Sequence, residues 1–365
     1  MRIGLYGMPT SGKTYILDRI DFMEIIVGSK LLRNYDPLFD QRDEAGREKD
    51  RKGVAELMMA KEEFIMDGHY AFGDEIAFTE EEGEMYEVYL YLYIDPIILR
   101  SRMEQSEKNQ KYLKYDIKKW QDLEIKELRK YCHKHNKDFY VIDHPTGNDN
   151  MDVEIVIEFI KAIQNGYSCE SFARQCAAEI LEECPDKDIY LLDGDKTLTL
   201  EDSSNKVAGY TTHLYDGNFY TGFQSWLQEN EFVNYDWPEL HELPVNINEK
   251  VLSMLGKQAY ILTSGNGNVW KYISASLSIP YFYGASMAAE TKYFITKYLQ
   301  DAGKNVIAFG DGMNDYFMLK QANKAYLVAK PDGRISRSLK DKDLEGLEIV
   351  WVRKNKRSSK FNCYH

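Results

Sequence analysis

Two stretches of this chain have the residue types that bind phosphate. The first is Gly7-Met8-Pro9-Thr10-Ser11-Gly12-Lys13-Thr14. The second is split between Asp193-Gly194-Asp195-Lys196-Thr197 and Gly310-Asp311-Gly312-Met313-Asn314-Asp315. Glycine and lysine suit a loop that holds phosphate oxygens, whereas clustered carboxylates suit a magnesium-dependent attack on phosphorus. The sequence therefore predicts chemistry in which phosphate is both attached and removed.

The first stretch is typical of a triphosphate-binding loop. Gly7 and Gly12 let backbone N–H groups surround the phosphate oxygens, and the following helix adds the positive end of its dipole. Lys13 would then contact the β- and γ-phosphates, and the Thr14 hydroxyl would bind Mg²⁺. We therefore predict ATP and Mg²⁺ as ligands, with Lys13 catalytic. The predicted ATP-binding residues of the loop are Gly7, Ser11, Gly12, Lys13 and Thr14.

Strand and helix patterns alternate along both halves of the chain, which indicates parallel sheets. In the first half, strands are predicted at 2–6, 63–67, 87–94 and 138–143, and helices at 13–20, 54–60, 97–135 and 151–164. In the second half, a helix is predicted at 168–184, and strands at 189–193, 259–262, 306–309 and 325–328. The predicted fold class is therefore α/β, with two doubly wound parallel-sheet domains.

Residues 1 to about 165 resemble the nucleoside-monophosphate kinase and polynucleotide kinase branch of P-loop proteins, with the loop as the most specific match. Asp67 follows a predicted strand beside the loop, where the resemblance implies that it orders Mg²⁺. Arg100 and Arg102 stand where such kinases begin an arginine-bearing lid, so both are expected at the ATP phosphates.

The same resemblance implies a base and an anion-binding arginine on the acceptor side. Asp36 is the candidate general base toward a hydroxyl, although an aspartate before Pro37 also suits a turn. Arg47 is the candidate for an acceptor phosphate, with Arg51 as an alternative, and both also suit a solvated helix face. His69 is predicted to be a packing or positioning residue.

Four elements in the second half occur in a fixed order. They are Asp193-x-Asp195-x-Thr197 after an apolar strand, Leu262-Thr263-Ser264 at a strand end, Lys292, and Gly310-Asp311-Gly312-x-Asn314-Asp315 after another strand. This set resembles the haloacid dehalogenase (HAD) superfamily over residues 188 to about 335. The Gly-Asp-Gly-x-Asn-Asp form is most similar to the phosphoserine-phosphatase-like subgroup.

The HAD resemblance assigns the chemistry to two aspartates. It implies that Asp193 attacks phosphorus to form an aspartyl-phosphate, and that Asp195 protonates the leaving oxygen and later activates water. A second aspartate at this position is typical of the phosphatases of the family. Thr263 and Ser264 would hold phosphoryl or substrate oxygens, and Lys292 would offset the repulsion between carboxylate and phosphate.

The resemblance also implies a Mg²⁺ site with oxygen ligands. The side chains of Asp193 and Asp311 and the backbone carbonyl of Asp195 would bind the ion. Asn314 and Asp315 would support these ligands, or Asp315 would join them through water. Asn314 is in addition predicted to contact the substrate.

An insert between the first two HAD elements is expected to cover the phosphatase site. It spans about 198–258 and contains Tyr215, Phe219, Tyr220, Phe223 and Trp226, which suit either a substrate pocket or the core of a cap. The predicted domains are a kinase domain at 1–165, a connecting helix at 166–187, a phosphatase domain at 188–345 and a basic tail at 346–365.

Net charge and cysteine content indicate which partners and which cellular compartment to expect. The chain has 365 residues and a net charge of −13, which argues against a surface built mainly to bind nucleic acid. It has five cysteines without a Cys-x-x-Cys pair, and its first strand leads directly into the loop. We therefore expect a cytoplasmic protein with free thiols, no removable signal peptide and no membrane partner.

Three functions are consistent with these motifs. The leading hypothesis is a bifunctional kinase–phosphatase that acts on a nucleoside, nucleotide or other small metabolite, with a small-molecule phosphoester or hydroxyl acceptor as partner. The domain order also resembles that of phage-type polynucleotide kinase–phosphatases, which act on 5′-hydroxyl and 3′-phosphate nucleic-acid ends. The third hypothesis is a nucleotide-sensing regulator that binds ATP without transferring phosphate.

Overall fold

The computed structural model of the chain describes residues 1–143, 152–212, 214, 219–243 and 245–351. These residues form two compact units. The N-terminal unit is Met1–Ser171 with the described residues of His213–Leu227, and the C-terminal unit is Phe172–Thr212 with the described residues of Gln228–His365. Each unit contains one parallel sheet flanked by helices, so the predicted α/β fold class is confirmed.

The sheet of the N-terminal unit has five parallel strands in the order β2-β3-β1-β6-β7. The strands of the unit are β1 (Arg2–Tyr6), β2 (Ile25–Val27), β3 (Phe64–Asp67), β4 (Ala71–Phe72), β5 (Glu75–Ile76), β6 (Val88–Leu92) and β7 (Asp138–Ile142). Of these, β4 and β5 form a separate antiparallel pair. The helices that belong wholly to this unit are α1 (Lys13–Leu17), α2 (Gly28–Tyr35), α3 (Glu44–Met58), α4 (Glu80–Met85), α5 (Pro96–Glu104), α6 (Ile117–His135) and α7 (Val153–Gln164). Short 3-10 turns lie at Phe39–Gln41 and Gln110–Tyr112.

Tyrosine rings form much of the core around the central strands of this sheet. Tyr6 of β1 stacks on Tyr89 of β6 with ring centroids 5.7 Å apart and meets Tyr86 edge-on at 6.1 Å. All three rings are fully buried. Every residue of β6 is buried, because a central parallel strand is covered by helices on both faces. This packing fixes the end of β1, from which the Gly7–Thr14 loop departs.

The sheet of the C-terminal unit has six parallel strands in the order β10-β9-β8-β11-β12-β13. They are β8 (Asp188–Asp193), β9 (Ala259–Thr263), β10 (Tyr281–Tyr283), β11 (Asn305–Gly310), β12 (Lys324–Ala329) and β13 (Glu348–Trp351). The remaining helices of the described residues are α8 (Cys169–Glu183), α9 (Ser203–Ala208), α10 (Gly222–Val233), α11 (Glu249–Leu252), α12 (Gly267–Leu277), α13 (Ala289–Asp301) and α14 (Met313–Gln321). A π-type turn lies at Gly194–Leu198 and a 3-10 turn at Arg337–Leu339.

Five short strands and several helix limits differ from the sequence prediction. The strands β2, β4, β5, β10 and β13 were not expected, since runs of two to four residues are too short to show a period. The predicted helix 13–20 ends at Leu17, and the predicted helix 97–135 is divided into α5, a 3-10 turn and α6. The predicted tail 346–365 begins too early, because β13 pairs with β12. The basic cluster 353–360 lies outside the described residues.

The predicted cap insert, 198–258, is divided between the two units. Thr221 belongs to the N-terminal unit, where its Oγ1 donates to the Val141 carbonyl and accepts from the Val141 N–H, both at 3.2 Å. Phe223 packs edge-on against Phe159 at 5.1 Å, and Phe219 lies 4.8 Å from the ring of Tyr93. Part of the insert therefore completes the edge of the N-terminal sheet at β7. Tyr215 lies outside the described residues.

The predicted connecting helix corresponds to α8, and the boundary between the units falls within it. Its first turn is held by β7: Asp138 Oδ1 accepts from the Glu170 N–H at 2.9 Å, and the Tyr140 hydroxyl accepts from the Cys169 N–H at 3.0 Å. These bonds satisfy N–H groups that a helix start leaves without partners.

Among the described residues, none of the helices combines the length and the apolar composition needed to traverse a membrane.

We expect Phe223→Ala to destabilise the N-terminal unit by about 3–5 kcal/mol, because Phe223 is fully buried against Phe159. Hydrogen exchange should accelerate in β7, as its edge loses cover. Val233→Ala, on the exposed end of the same helix, is the matched control and should change little. Faster exchange confined to β8 and β11 would contradict the assignment of this segment.

Candidate active sites

The predicted phosphatase residues meet at the carboxyl edge of the C-terminal sheet. Asp193 ends β8, Thr263 ends β9 and Gly310 ends β11. The three strands are neighbours, with Asp193 opposite Leu262 and Phe309 opposite Leu192. Because parallel strands end at one edge, residues far apart in sequence are brought to one place.

Lys292 is the centre of this cluster. It lies on α13 with a fully buried side chain, and its Nζ donates to Asp193 Oδ1 at 2.6 Å and to Asp315 Oδ1 at 2.7 Å. Burial opposes the charged form, but the carboxylates of Asp193 and Asp315 raise the pKa of Lys292 above its usual range. The lysine therefore stays cationic and holds the nucleophile candidate in place.

Three carboxylates beside Lys292 have the geometry of a divalent-cation site. Oxygens of Asp193, Asp311 and Asp315 lie within 4.8 Å of one another. The second oxygen of Asp315 already accepts the backbone N–H groups of Asp311 (3.0 Å) and Gly312 (3.2 Å). Asp193 and Asp311 are therefore the better direct ligands, and Asp315 orients the loop that carries Asp311.

The electrostatics of these carboxylates agree with a cation at this position. Burial, then the nearby Asp315, raises the pKa of Asp193 to about 7, although Lys292 opposes the rise. Burial, Asp193 and Asp315 raise the pKa of Asp311 well above its usual range. Crowded carboxylates of this kind are stabilised by a hard cation, so the residues present fit Mg²⁺.

Asp195 lies in the tight turn that follows β8. Lys196 adopts a left-handed conformation with φ of 62°, and Asp195 Oδ1 accepts the Ser203 N–H at 2.6 Å. Burial, followed by the charge of Asp202, raises the pKa of Asp195 to about 6, while the Ser203 N–H opposes the rise. A carboxyl group with this pKa can carry a proton near neutral pH, as an acid catalyst requires.

The remaining predicted phosphatase residues lie at the end of β9 and at the start of α14. Thr263 is buried, and its Oγ1 accepts the Gly265 N–H at 3.0 Å. Asn314 Nδ2 donates to Ser264 Oγ at 3.4 Å. The structure therefore brings together the two residues that were predicted to contact substrate in this unit.

The Gly7–Thr14 loop leaves β1 at the carboxyl edge of the N-terminal sheet. Gly7 and Gly12 have φ of 150° and 100°, which glycine adopts without strain. Lys13 is buried on the first turn of α1, and its Nζ donates to the carbonyls of Gly7 (2.5 Å) and Met8 (3.3 Å). The lysine thus lies against the loop that it was predicted to serve.

The loop also has the polar atoms that a phosphate group requires. The hydroxyls of Thr10 and Ser11 are buried and have no hydrogen-bond partner among the described residues. Burial lowers the pKa of Lys13 to about 8, although Asp67 and Glu124 oppose the shift. Buried hydroxyls without partners and a lysine without a carboxylate partner are satisfied by an anion, so the loop fits a triphosphate. Thr14 is exposed beside them.

Asp67 ends β3 directly beside β1, as the sequence predicted. It pairs in register with Leu5, and its Oδ1 accepts the Gly28 N–H at 2.7 Å. This bond fixes the carboxylate near the loop. Asp67 can therefore support Mg²⁺ through its other oxygen or through water.

The two predicted lid arginines have different surroundings. Arg102 Nη1 donates to the Thr10 carbonyl at 3.4 Å, which places it at the loop. Arg100 is half exposed and pairs with Glu104 at 3.7 Å. Arg102 is therefore the stronger candidate for a contact with ATP.

The predicted acceptor residues are engaged elsewhere. Asp36 accepts the Arg42 Nε–H at 2.6 Å and the Leu38 N–H at 2.9 Å. The hydrogen bond from Arg42 lowers the pKa of Asp36, which makes it a weaker base. Arg47 pairs with Glu75 at 3.2 Å. The roles of Asp36 and Arg47 stay predictions.

His69 has the environment of a positioning residue. Burial and the charge of Lys13 lower its pKa well below the usual range, so the ring is neutral. The ring packs against Phe72 with centroids 4.8 Å apart.

Glu124, a fully buried carboxylate on α6, was not among the predicted residues. It accepts from Trp120 Nε1 (3.0 Å), the Tyr91 hydroxyl (2.7 Å) and the Ala71 N–H (3.1 Å). Its spacing from Trp120 and Leu128 is that of the buried helix face, and this periodicity could have identified it. Ser203 and Trp270 were overlooked as well.

A family model matches the segment that carries the second half of the predicted phosphatase residues. Residues 288–337 match the family model described as haloacid dehalogenase-like hydrolase. This match contains Lys292, Asp311, Asn314 and Asp315. No curated protein matches the chain.

Several solved structures are similar at low identity. Shikimate kinase from Acinetobacter baumannii, in complex with shikimate, is 15% identical, with 46% of this chain and 95% of that chain covered at a TM-score of 0.33. Shikimate kinase from Bacteroides thetaiotaomicron is 17% identical, with 45% and 98% covered at 0.32. An apo phosphoserine phosphatase is 14% identical, with 46% and 96% covered at 0.32.

The C-terminal unit therefore contains a haloacid dehalogenase-like hydrolase segment, as the motifs predicted. Together with the loop of the N-terminal unit, this supports an architecture in which a kinase-like unit is joined to a hydrolase-like unit.

We expect Asp193→Asn to lower hydrolysis of a generic phosphoester at least about a thousandfold, because an amide cannot replace the nucleophilic carboxylate. Calorimetry should show ATP binding unchanged. Asp188→Asn, at the exposed start of the same strand, is the control and should retain activity. Hydrolysis near the wild-type rate in the Asp193 variant would exclude it as nucleophile.

We expect ATP affinity to fall as pH rises through about 8, because Lys13 then loses the proton that attracts the phosphates. Bound phosphate raises the pKa of the lysine, so binding near this pH should take up about half a proton. Calorimetry in buffers of different ionisation enthalpy measures this uptake. Lys13→Arg should abolish the pH dependence, and Lys13→Ala should weaken phosphoryl transfer without affecting phosphoester hydrolysis. Constant wild-type affinity from about pH 7 to about pH 9 would contradict this role.

Proposed function

We propose that this chain is a bifunctional enzyme that transfers phosphate from ATP to a small-molecule hydroxyl and hydrolyses a phosphomonoester. The observation that carries the proposal is that each unit ends its central strand in a turn beside a buried lysine, Lys13 or Lys292. Both lysines are bound by oxygen atoms at the carboxyl edge of a parallel sheet. This is the arrangement in which phosphate oxygens are recognised.

In the C-terminal unit, Asp193 attacks phosphorus and the bond to the leaving oxygen breaks. Asp195 donates its proton to that oxygen, which leaves an aspartyl-phosphate on Asp193. Asp195 then removes a proton from water, which attacks the aspartyl-phosphate and releases inorganic phosphate. Lys292 and Thr263 bind the negative charge. Mg²⁺, held by Asp193 and Asp311, would neutralise the phosphoryl oxygens.

In the N-terminal unit, the loop and Lys13 hold the triphosphate of ATP. The buried Ser11 hydroxyl and the Arg102 guanidinium are placed to bind phosphate oxygens. Thr14 and Asp67 would hold Mg²⁺, which supplies charge neutralisation for transfer. The acceptor hydroxyl attacks the γ-phosphorus, and its proton passes to a base, for which Asp36 is the candidate.

A small metabolite is the favoured acceptor. A net charge of −13 disfavours contact with a polyanion such as a nucleic acid. Four described cysteines are buried free thiols, which supports a cytoplasmic location. Polynucleotide end repair and ATP sensing without transfer are the alternatives.

The test uses Asp193→Asn protein, so that the product is not dephosphorylated. With γ-labelled ATP and Mg²⁺, we expect label in a pool of nucleosides, nucleoside monophosphates and sugars, and none on a 5′-hydroxyl oligonucleotide. Lys13→Ala in the same background is the control and should abolish labelling. Label on the oligonucleotide would support end repair instead. ATP binding without transfer to either acceptor would support a sensor.

A further inference from the structure

Trp270 is a buried tryptophan with an unsatisfied polar atom. It lies on α12 with no exposed surface, and its indole N–H has no hydrogen-bond partner among the described residues. Trp237 in the same unit shows the usual arrangement, since its indole N–H donates to the Phe232 carbonyl at 3.0 Å. A buried N–H without a partner is costly, so the Trp270 indole requires an explanation.

The indole ring of Trp270 fills the space beside two glycines of the phosphatase site. A Cβ atom on Gly194 would lie 2.4 Å from the indole Cζ2, and a Cβ atom on Gly265 would lie 2.4 Å from its Nε1. Gly194 stands between Asp193 and Asp195 in sequence. Only glycine permits this approach at either position, so the indole packs directly against both catalytic loops.

The indole N–H lies close to the carboxyl group of Asp195. Trp270 Nε1 and Asp195 Oδ2 both lie within 3 Å of one point, the position that a Cβ atom of residue 265 would occupy. The other oxygen of Asp195, Oδ1, accepts the Ser203 N–H. The two groups are not hydrogen-bonded in this conformation, so Oδ2 would reach the indole N–H after the Asp195 side chain rotates.

We propose that Trp270 is a positioning residue for Asp195, whose N–H binds the carboxylate that forms when Asp195 gives its proton to the leaving oxygen. This inference rests on the proposed phosphatase function. In the reaction the bond between phosphorus and the leaving oxygen breaks, that oxygen receives the Asp195 proton, and negative charge appears on Asp195. The indole N–H and the Ser203 N–H then bind one oxygen each. The fold holds both donors in place, and they stabilise the charge once the carboxylate turns toward them.

The test compares phosphoesters that differ in their need for an acid. p-Nitrophenyl phosphate has a good leaving group and needs little protonation, whereas an alkyl phosphate depends on Asp195. We expect Trp270→Phe to lower kcat/KM about tenfold for the alkyl phosphate and less than about twofold for p-nitrophenyl phosphate. This constant reports the steps up to phosphoryl transfer to Asp193. Trp237→Phe is the matched control and should alter neither.

A double-variant cycle separates positioning from packing. In an Asp195→Asn background, Trp270→Phe should cost nothing further, because the group that it positions is already absent. Replacement of Trp270 by 3-benzothienylalanine, which keeps the ring shape without the N–H, should reproduce the selective loss and covers the case in which the phenylalanine variant fails to fold.

The outcomes distinguish the two proposals. Equal losses for both substrates, an additive loss in the Asp195→Asn background, or full activity of the benzothienylalanine protein would overturn the role of Trp270 while the phosphatase assignment stands. If wild-type protein hydrolyses neither substrate, the proposed function is wrong and the role of Trp270 falls with it.

Discussion

The C-terminal unit depends on the ion pairs that the buried Lys292 ammonium forms with Asp193 and Asp315. An ammonium group out of water is costly unless oxygens surround it, and each of the two carboxylates is costly without the lysine. The three groups therefore hold one another, and they tie α13 to the ends of β8 and β11. Their charges still leave an excess of negative charge once Asp311 is counted, which a divalent cation would offset. The same side chains therefore stabilise the fold and form the candidate active site.

The N-terminal unit also contains a buried lysine, but different groups compensate its charge. Lys13 is also buried, but the hydrogen bonds of its Nζ go to backbone carbonyls and not to a carboxylate. Carbonyl oxygens compensate a charge less completely, so the proton on Lys13 is held less firmly than that on Lys292. The lysine of the kinase-like loop is thus prepared for an incoming anion, whereas the lysine of the hydrolase-like site is already engaged with the nucleophile.

The motifs in the sequence identified the site residues that lie at strand ends. At these positions, the strand that precedes the motif already determines where in the sheet the residue lies. Asp67, Asp193, Thr263 and Asp311 are of this kind. The motifs did not identify Trp270, whose indole packs against loops that follow two different strands. The short strand β13 and the contact of Thr221 with β7 were also not predicted. Pairing between remote segments determines both, and the local sequence pattern does not.

The path of the chain through the two units has a consequence for synthesis. The residues that cover the edge of β7, among them Thr221 and Phe223, are synthesised after Asp193. The N-terminal unit therefore cannot finish folding before the first strand of its neighbour exists. A nascent chain halted between these points would expose a bare strand edge and the apolar ring of Phe159, a combination prone to aggregate. The segments of the two units alternate along the chain, so no single break in the chain would separate one complete unit from the other.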